Sequence, residues 1–445
     1  MISGVRGTLI DFTGDPFVLG DENSIRVEQD GLLVIEEGKI LNRGNYNQLI
    51  KHYPHLETID YSGYYVMPGF IDTHVHYSQI GIIGSYGKHL LEWLETYVYN
   101  EEAKFKDIEY SRRAAIFFLE ELIQNGTTTA LVFASVHPQS VEVFFEEAYK
   151  RNMRMIAGKV MMSRNAPKEL LDTPSMSYEE SKSLIEKWHG KGRLLYAVTP
   201  RFGITCSREQ LDYAGRLLKE FPGVYLHTHL AETKDEIRLT NQLFPDCADY
   251  LEVYEKSELV TNRSVFAHGI HLSDSELKRL SNAHSSIAFC PTSNLFLGSG
   301  LFNLGKVLDS KHPVKVGIGT DVGAGTGLSM FGTLNEAYKV AALQDQKLSS
   351  AKGFYLLTLG GAKSISLDNQ LGNFEKGKEA DFVVLNPCAT PLLNFRNNSN
   401  NRNGIFDGID GIIDRLFSLM CMGDDRVIES VFISGNLSYS QKRSI

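Results

Sequence analysis

The sequence predicts a (β/α)8 TIM-type barrel with a small β-sandwich domain formed by the two ends of the chain, and three observations predict it. Eight short apolar segments punctuate the middle of the chain and alternate with helical stretches. β-rich segments with tight turns occupy both ends. Histidines and acids gather where the apolar segments finish, and a parallel barrel displays its chemistry at the C-terminal ends of its strands.

Residues 1–64 read as the N-terminal part of the β-sandwich. Gly7-Thr-Leu-Ile and Leu32-Leu-Val-Ile-Glu-Glu-Gly-Lys-Ile are strand-like, with Glu37-Gly38-Lys39 as a tight turn. Residues 65–368 read as the barrel. Its strand candidates are 65–73, 127–133, 154–162, 194–200, 224–230, 264–269, 286–291 and 314–320. Helical stretches lie between most of them, as at 111–125, 209–220 and 273–281, and another at 328–344 follows the last. Ser273 followed by Glu276 has the spacing of a capping box. The connection over residues 77–105 is long and contains Gly81, Gly84 and Gly87, which suits a cover over the barrel mouth. Residues 369–445 supply the other part of the sandwich, through Ala380-Asp-Phe-Val-Val-Leu and Val427-Ile-Glu-Ser-Val-Phe-Ile-Ser-Gly. Two separate appendages are the alternative reading of the two ends. The Asn-rich stretch 397–403 reads as an exposed loop without a function of its own.

Composition narrows the function. Of 445 residues, 42% are hydrophobic and 22% charged, an ordinary globular balance. The 45 basic and 54 acidic residues give a net charge of −9, with no basic stripe interleaved with aromatics, so a nucleic-acid partner is not expected. Cys206, Cys247, Cys290, Cys388 and Cys421 are odd in number and show no CxxC spacing. They read as reduced thiols. Neither a secretory leader nor an apolar run of membrane-spanning length is visible, so the expectation is a soluble cytoplasmic protein with no membrane partner.

The chemistry sits at strand ends. Tyr65-Val-Met-Pro-Gly-Phe-Ile-Asp-Thr leads into His74-Val-His76, and residues two apart on a strand share a face. Val224-Tyr-Leu-His-Thr-His229-Leu-Ala-Glu232 ends the fifth candidate strand, Val265-Phe-Ala-His268 the sixth, and Asp321 follows the eighth. Imidazoles and a carboxylate gathered at one mouth suit Zn²⁺ or Fe²⁺. His227 shares a face with His229 and is an alternative ligand. His229 is preferred because Glu232 follows one turn later, within reach of metal-bound water. His137, His271 and His284 read as surface or loop residues, and His89 borders the segment that approaches the pocket.

Together Pro68-Gly-Phe-Ile-Asp-Thr-His-Val-His, His227-Thr-His-Leu-Ala-Glu, Phe266-Ala-His-Gly and Gly319-Thr-Asp resemble the amidohydrolase superfamily over roughly residues 60–380. The resemblance implies His74, His76, His229 and Asp321 as metal ligands, with Glu232 and His268 beside them. Binuclear members carry a lysine at the end of the fourth strand. Here Leu194-Leu-Tyr-Ala-Val-Thr-Pro-Arg201 has none, which implies one metal ion per subunit. The zinc deaminases of the unrelated H-x-E…P-C-x-x-C fold are excluded, because no P-C-x-x-C occurs.

Within the superfamily the chain resembles the guanine-deaminase branch. The residues that carry this are His76-Tyr-Ser-Gln79, Leu90-Leu-Glu-Trp-Leu-Glu-Thr-Tyr, Thr199-Pro-Arg-Phe202, Cys290-Pro-Thr-Ser-Asn-Leu-Phe-Leu-Gly-Ser-Gly, Thr320-Asp-Val-Gly-Ala-Gly and Gly423-Asp-Asp-Arg. That branch implies guanine as substrate, zinc as metal, with Fe²⁺ accepted by the same ligands, and a homodimer. Arg201 is the candidate donor to the guanine carbonyl, and Gln79 offers a donor and an acceptor to the purine edge. Phe202 and Trp93 are candidate walls of the pocket, with simple core packing as the alternative for each. Glu232 is the candidate proton carrier, and His268 and Asp321 the groups that orient the attacking water. Rival readings are a deaminase of another purine, a nucleoside or a triazine, against which Gln79 and Thr-Pro-Arg-Phe weigh, and a non-catalytic scaffold, against which the complete ligand set weighs.

Overall fold

Two sheets organise the chain in a computed structural model that describes residues 2–87, 89–309, 311–398 and 408–441. Among the described residues, sixteen strands run in order. They are β1 (Ile2–Phe12), β2 (Ile25–Glu36), β3 (Lys39–Asn45), β4 (Thr58–Pro68), β5 (Phe70–His76), β6 (Thr127–Phe133), β7 (Arg154–Gly158) and β8 (Val160–Met161). They continue as β9 (Leu195–Pro200), β10 (Tyr225–Leu230), β11 (Ser264–His268), β12 (Ser286–Phe289), β13 (Lys315–Ile318), β14 (Phe382–Leu385), β15 (Ile428–Ile433) and β16 (Asn436–Ser440).

The two ends of the chain build one seven-stranded sheet, ordered β16-β15-β14-β4-β1-β2-β3. Its apolar face packs Val5, Leu9, Leu33, Val66, Phe382 and Phe432 into a shared core, with Phe382 and Phe432 stacked at 4.4 Å between centroids. The two ends therefore form a joint structure rather than two appendages.

The middle forms the parallel barrel, ordered β13-β12-β11-β10-β9-β7-β6-β5, with β8 paired to β9. One sequence expectation is corrected here. Residues 65–73 do not form a single barrel strand. Residues 65–68 pair with β14 in the terminal sheet, and the barrel strand starts at Phe70 and runs on to His76. The break falls at Pro68-Gly69. Proline withholds an N–H from the ladder, and a Cβ at Gly69 would lie 2.2 Å from the Thr128 hydroxyl. Only glycine lets the chain cross there between sheets. Residues 154–162 likewise divide into β7 and β8, with Lys159 between them.

Helices cover the barrel where the apolar periodicity places them, at Ile108–Gln124, Arg208–Glu220, Asp274–Asn282 and Met330–Ala342. Ser273 and Glu276 form both bonds of the capping box, and Thr233 with Glu236 makes a second one. Inside the barrel, Ile71, Leu131, Ile156, Ala197, Tyr225, Val265 and Ala288 each come from a different strand and fill its interior. Along β10, Tyr225, His227 and His229 alternate up one face, so the plug gives way to imidazoles toward the mouth.

The barrel closes beside those imidazoles. His76 N–H donates to the Val322 carbonyl at 2.8 Å, and Asp321 N–H donates to the His74 carbonyl at 2.9 Å. The buried Asp72 carboxylate stitches the same seam. It accepts from the His74 and Thr320 N–H groups at 3.1 Å each and from the Thr320 hydroxyl at 2.5 Å.

All five cysteines are free thiols. No described helix is long and apolar enough to cross a membrane. Of the Asn-rich stretch 397–403, Asn397 and Asn398 end the helix Pro391–Asn398, and residues 399–403 lie outside the described residues.

Candidate metal and substrate site

β5, β10 and the turn after β13 bring His74, His76, His229 and Asp321 together, with one ligand atom from each within 4.8 Å of all the others. His74 Nε2 and His76 Nε2 are 3.2 Å apart, and His76 Nε2 and His229 Nε2 3.3 Å. Asp321 Oδ1 lies 3.1 Å from His74 Nε2 and 3.2 Å from His76 Nε2. Donors that share a zinc-sized ion at about 2.0–2.1 Å sit roughly 3.3 Å from one another when tetrahedral. The donor set therefore fits one divalent cation.

Protonation states agree with that fit. Burial drives His76 down to about 3 and also lowers His74, His227 and His229, so these rings are neutral near pH 7. Metals bind imidazole in that form. Burial alone would raise Asp321, but the surrounding His74, His76 and His268 hold it well below the usual carboxylate range.

The back of each ring is also fixed. His229 Nδ1 lies 2.7 Å from the Arg201 carbonyl, which makes it the N–H and frees Nε2. His227 is not in the cluster. Its Nε2 lies 2.7 Å from His74 Nδ1, on the side of the His74 ring away from the cluster, where it sets the orientation of that ring. Alternation put both histidines of β10 on one face, and depth in the barrel separates them.

Glu232 and His268 flank the cluster. Glu232 Oε1 accepts from the Ser299 hydroxyl at 2.8 Å, and Oε2 lies 3.5 Å from His268 Nε2. Burial pushes the Glu232 carboxyl up to about 8, and the charge of Asp321 pushes the same way. His268 Nδ1 lies 2.9 Å from Asn294 Oδ1, so the amide oxygen takes the ring N–H and leaves Nε2 facing Glu232 and, at 3.8 Å, Asp321 Oδ2. Ala231 (φ 51°), His268 (φ 71°) and Asp321 (φ 50°) all adopt left-handed backbone. That conformation costs of order 1–3 kcal/mol per non-glycine residue and gathers at functional sites.

A single cavity is lined by Gln79, Trp93, Arg201, Phe202, Glu232, His268, Asp321, His76 and His229. Leu90, Leu94, Leu297 and Ala324 complete its apolar walls. The roof comes from the connection after β5, which folds into short helical turns at residues 77–82 and 90–106. The Trp93 indole N–H is buried without an acceptor among the described residues. His89 lines an adjoining cleft with His271, whose Nε2 lies 2.9 Å from the Ser299 carbonyl. His137 is half-buried and His284 exposed.

Sequence reasoning missed several residues. Glu102 is fully buried and accepts from Arg201 Nη1 at 2.7 Å and from Gln79 Nε2 at 3.0 Å. Gln79 Nε2 also lies 3.1 Å from His76 Nδ1, and Gln79 Oε1 accepts from Gly323 N–H at 3.2 Å. Burial lowers Arg201, yet the Glu102 charge outweighs it and holds the guanidinium above its ordinary value. Asn294 and Ser299 lay within the quoted Cys290–Gly300 motif, and Asp72 within the first one, so attention to their polar side chains was the available signal. Glu102 had none.

Comparison with known proteins follows the same lines. The amidohydrolase family model matches residues 65–437. Guanine deaminase of Escherichia coli (strain K12) is 50% identical over 444 residues, covering 99% of this chain and 98% of the relative. The solved E. coli guanine deaminase superposes with a TM-score of 0.94 over 99% of this chain and 100% of that one. Guanine deaminase from C. acetobutylicum, solved with bound guanine in the active site, is 29% identical, with a TM-score of 0.87 and the same coverage.

Proposed function

Because this chain belongs to the amidohydrolase family, and half of its residues match a guanine deaminase along nearly its whole length, we infer that it deaminates guanine hydrolytically to xanthine and ammonia. It is a hydrolase acting on a cyclic amidine. The observation that carries the reading is the meeting, in one cavity, of a metal-competent donor set, a buried carboxyl and an arginine.

His74, His76, His229 and Asp321 would hold the cation. Zinc is our assignment for it, with Fe²⁺ accepted by the same donors. When bound, such an ion supplies Lewis acidity that draws the pKa of a water toward neutrality.

Arg201 donates to the purine carbonyl at C6, and Phe202 and Trp93 enclose the ring. Gln79, with Nε2 committed to Glu102, keeps a spare lone pair on Oε1 for a purine N–H. Glu232 takes a proton from the attacking water as the C–O bond forms at C2, and passes it to the ring nitrogen. With the cation bound, its positive charge favours the carboxylate form that accepts this proton. His268, anchored by Asn294, and Asp321 orient the water. The proton of the new C2 hydroxyl then passes through Glu232 to the amine, the C2–N bond breaks as the C2 carbonyl forms, and ammonia leaves.

A homodimer, a cytoplasmic location and a role in purine breakdown belong to the same proposal and rest on the family resemblance. Sedimentation tests the first. The reaction itself is tested by following xanthine formation from guanine with and without chelator. Metal-dependent xanthine production is expected, and a metal-replete enzyme that forms none would overturn the reading.

A further inference from the structure

Glu102 closes the helix Tyr99–Glu102 in the connection that roofs the cavity. It is fully buried, and both of its oxygens are engaged, Oε2 by Arg201 at 2.7 Å and Oε1 by Gln79 at 3.0 Å. Both partners line the substrate cavity. The Gly323 N–H at Gln79 Oε1 fixes which way that amide faces, so its donors turn toward Glu102. The guanidinium of Arg201 also sits 5.7 Å from the centre of the Tyr99 ring.

Arginine carries only donors. Held through Nη1, Arg201 keeps its remaining N–H groups for the cavity and loses the freedom to swing aside. A carbonyl at purine C6 satisfies such donors. An amine at C6 sets donor against donor and leaves buried groups unpaired, the situation that gives enzymes their strongest discrimination. We propose, building on guanine deamination as the reaction, that Glu102 is a positioning residue. Its double hold on Arg201 and Gln79 makes the site select a 6-oxo purine over a 6-amino purine.

The test compares guanine with 2,6-diaminopurine, which keeps the amine at C2 and exchanges the carbonyl at C6 for an amine. Release of the C2 amine is read as xanthine from the first and as 6-amino-2-oxopurine from the second. Wild-type enzyme should favour guanine in kcat/KM by about 10³-fold or more. Glu102→Gln keeps the volume and removes the charge. It should lower guanine kcat/KM by about 10²-fold, mainly through KM, and change the diaminopurine value by less than about threefold. Glu102→Asp keeps the charge but is one methylene too short for both partners, and should fall between. It carries the test if the glutamine variant does not fold. Metal content should match wild type in both.

A purely structural role would slow both substrates in parallel, so an unchanged guanine-to-diaminopurine ratio in folded variants overturns the assignment of Glu102. A wild-type enzyme that yields no xanthine overturns the underlying reaction instead.

Discussion

Replacing Glu232 by glutamine asks most sharply what the buried carboxyl does. The amide has nearly the same volume, its oxygen still accepts the Ser299 hydroxyl, and the four candidate metal donors are untouched. What disappears is the capacity of this side chain to take up and return a proton. Loss of a positioned proton carrier costs about 10²–10⁴-fold, or roughly 3–5 kcal/mol of barrier. Steady-state kcat for guanine should fall by that factor at unchanged metal content, read by elemental analysis of the same sample. A second consequence concerns stability. The folded pKa of Glu232 is about 8, well above that of an exposed glutamate. Between the two values the unfolded chain ionises more readily than the folded one, so Glu232 destabilises the fold increasingly as pH rises through that window. In chelator-treated protein, where no cation favours the carboxylate, Glu232→Gln should therefore raise Tm, by more at pH 8 than at pH 5. A variant with near-normal kcat, or a Tm gain that shrinks as pH rises, would refute the reasoning.

Other perturbations separate the remaining parts of the site. Arg201→Ala should cut guanine kcat/KM by about 10²-fold or more while metal content holds, and it should cost about 3–5 kcal/mol of stability in denaturant melts, because the buried Glu102 loses its counter-ion and keeps only the Gln79 hydrogen bond. His227→Leu removes the group that orients His74 and should weaken metal affinity about 10–100-fold in a chelator competition; unchanged affinity would remove it from that role. Gly69→Val forces a Cβ into Thr128 and should lower Tm by several degrees, and an unchanged Tm would show that the crossing between sheets tolerates a side chain. Ser273→Ala should cost about 1 kcal/mol through loss of the capping box, and a neutral result in denaturant melts would contradict it.

Much of this architecture is legible in order along the chain because short-range rules govern it. Strands such as Thr127–Phe133 and Lys315–Ile318 announce themselves as apolar runs, and the Ser273 cap as a spacing of three. The cluster that could hold a cation is legible for the same reason: His74 and His76 are two apart on one strand, and Glu232 follows His229 closely. Sequence fails where one local pattern is compatible with two tertiary outcomes. Residues 65–71 form one unbroken nonpolar run, and only the partners of β4 and β5 show that two sheets divide it. His227 and His229 have the same parity, and only their depth in the barrel places one in the candidate donor cluster and the other behind His74. Glu102 and Arg201 stand 99 residues apart, on a roof segment and a strand end, with no periodicity to join them. Their pairing is a product of the closed fold, as are the left-handed conformations of Ala231, His268 and Asp321.

Anomalous diffraction collected at the zinc edge from crystals of catalytically active protein tests the centre of this account most directly. One peak, within bonding distance of His74 Nε2, His76 Nε2, His229 Nε2 and Asp321 Oδ1, is predicted. A peak held by other residues, or active crystals with no metal between these four groups, would contradict it.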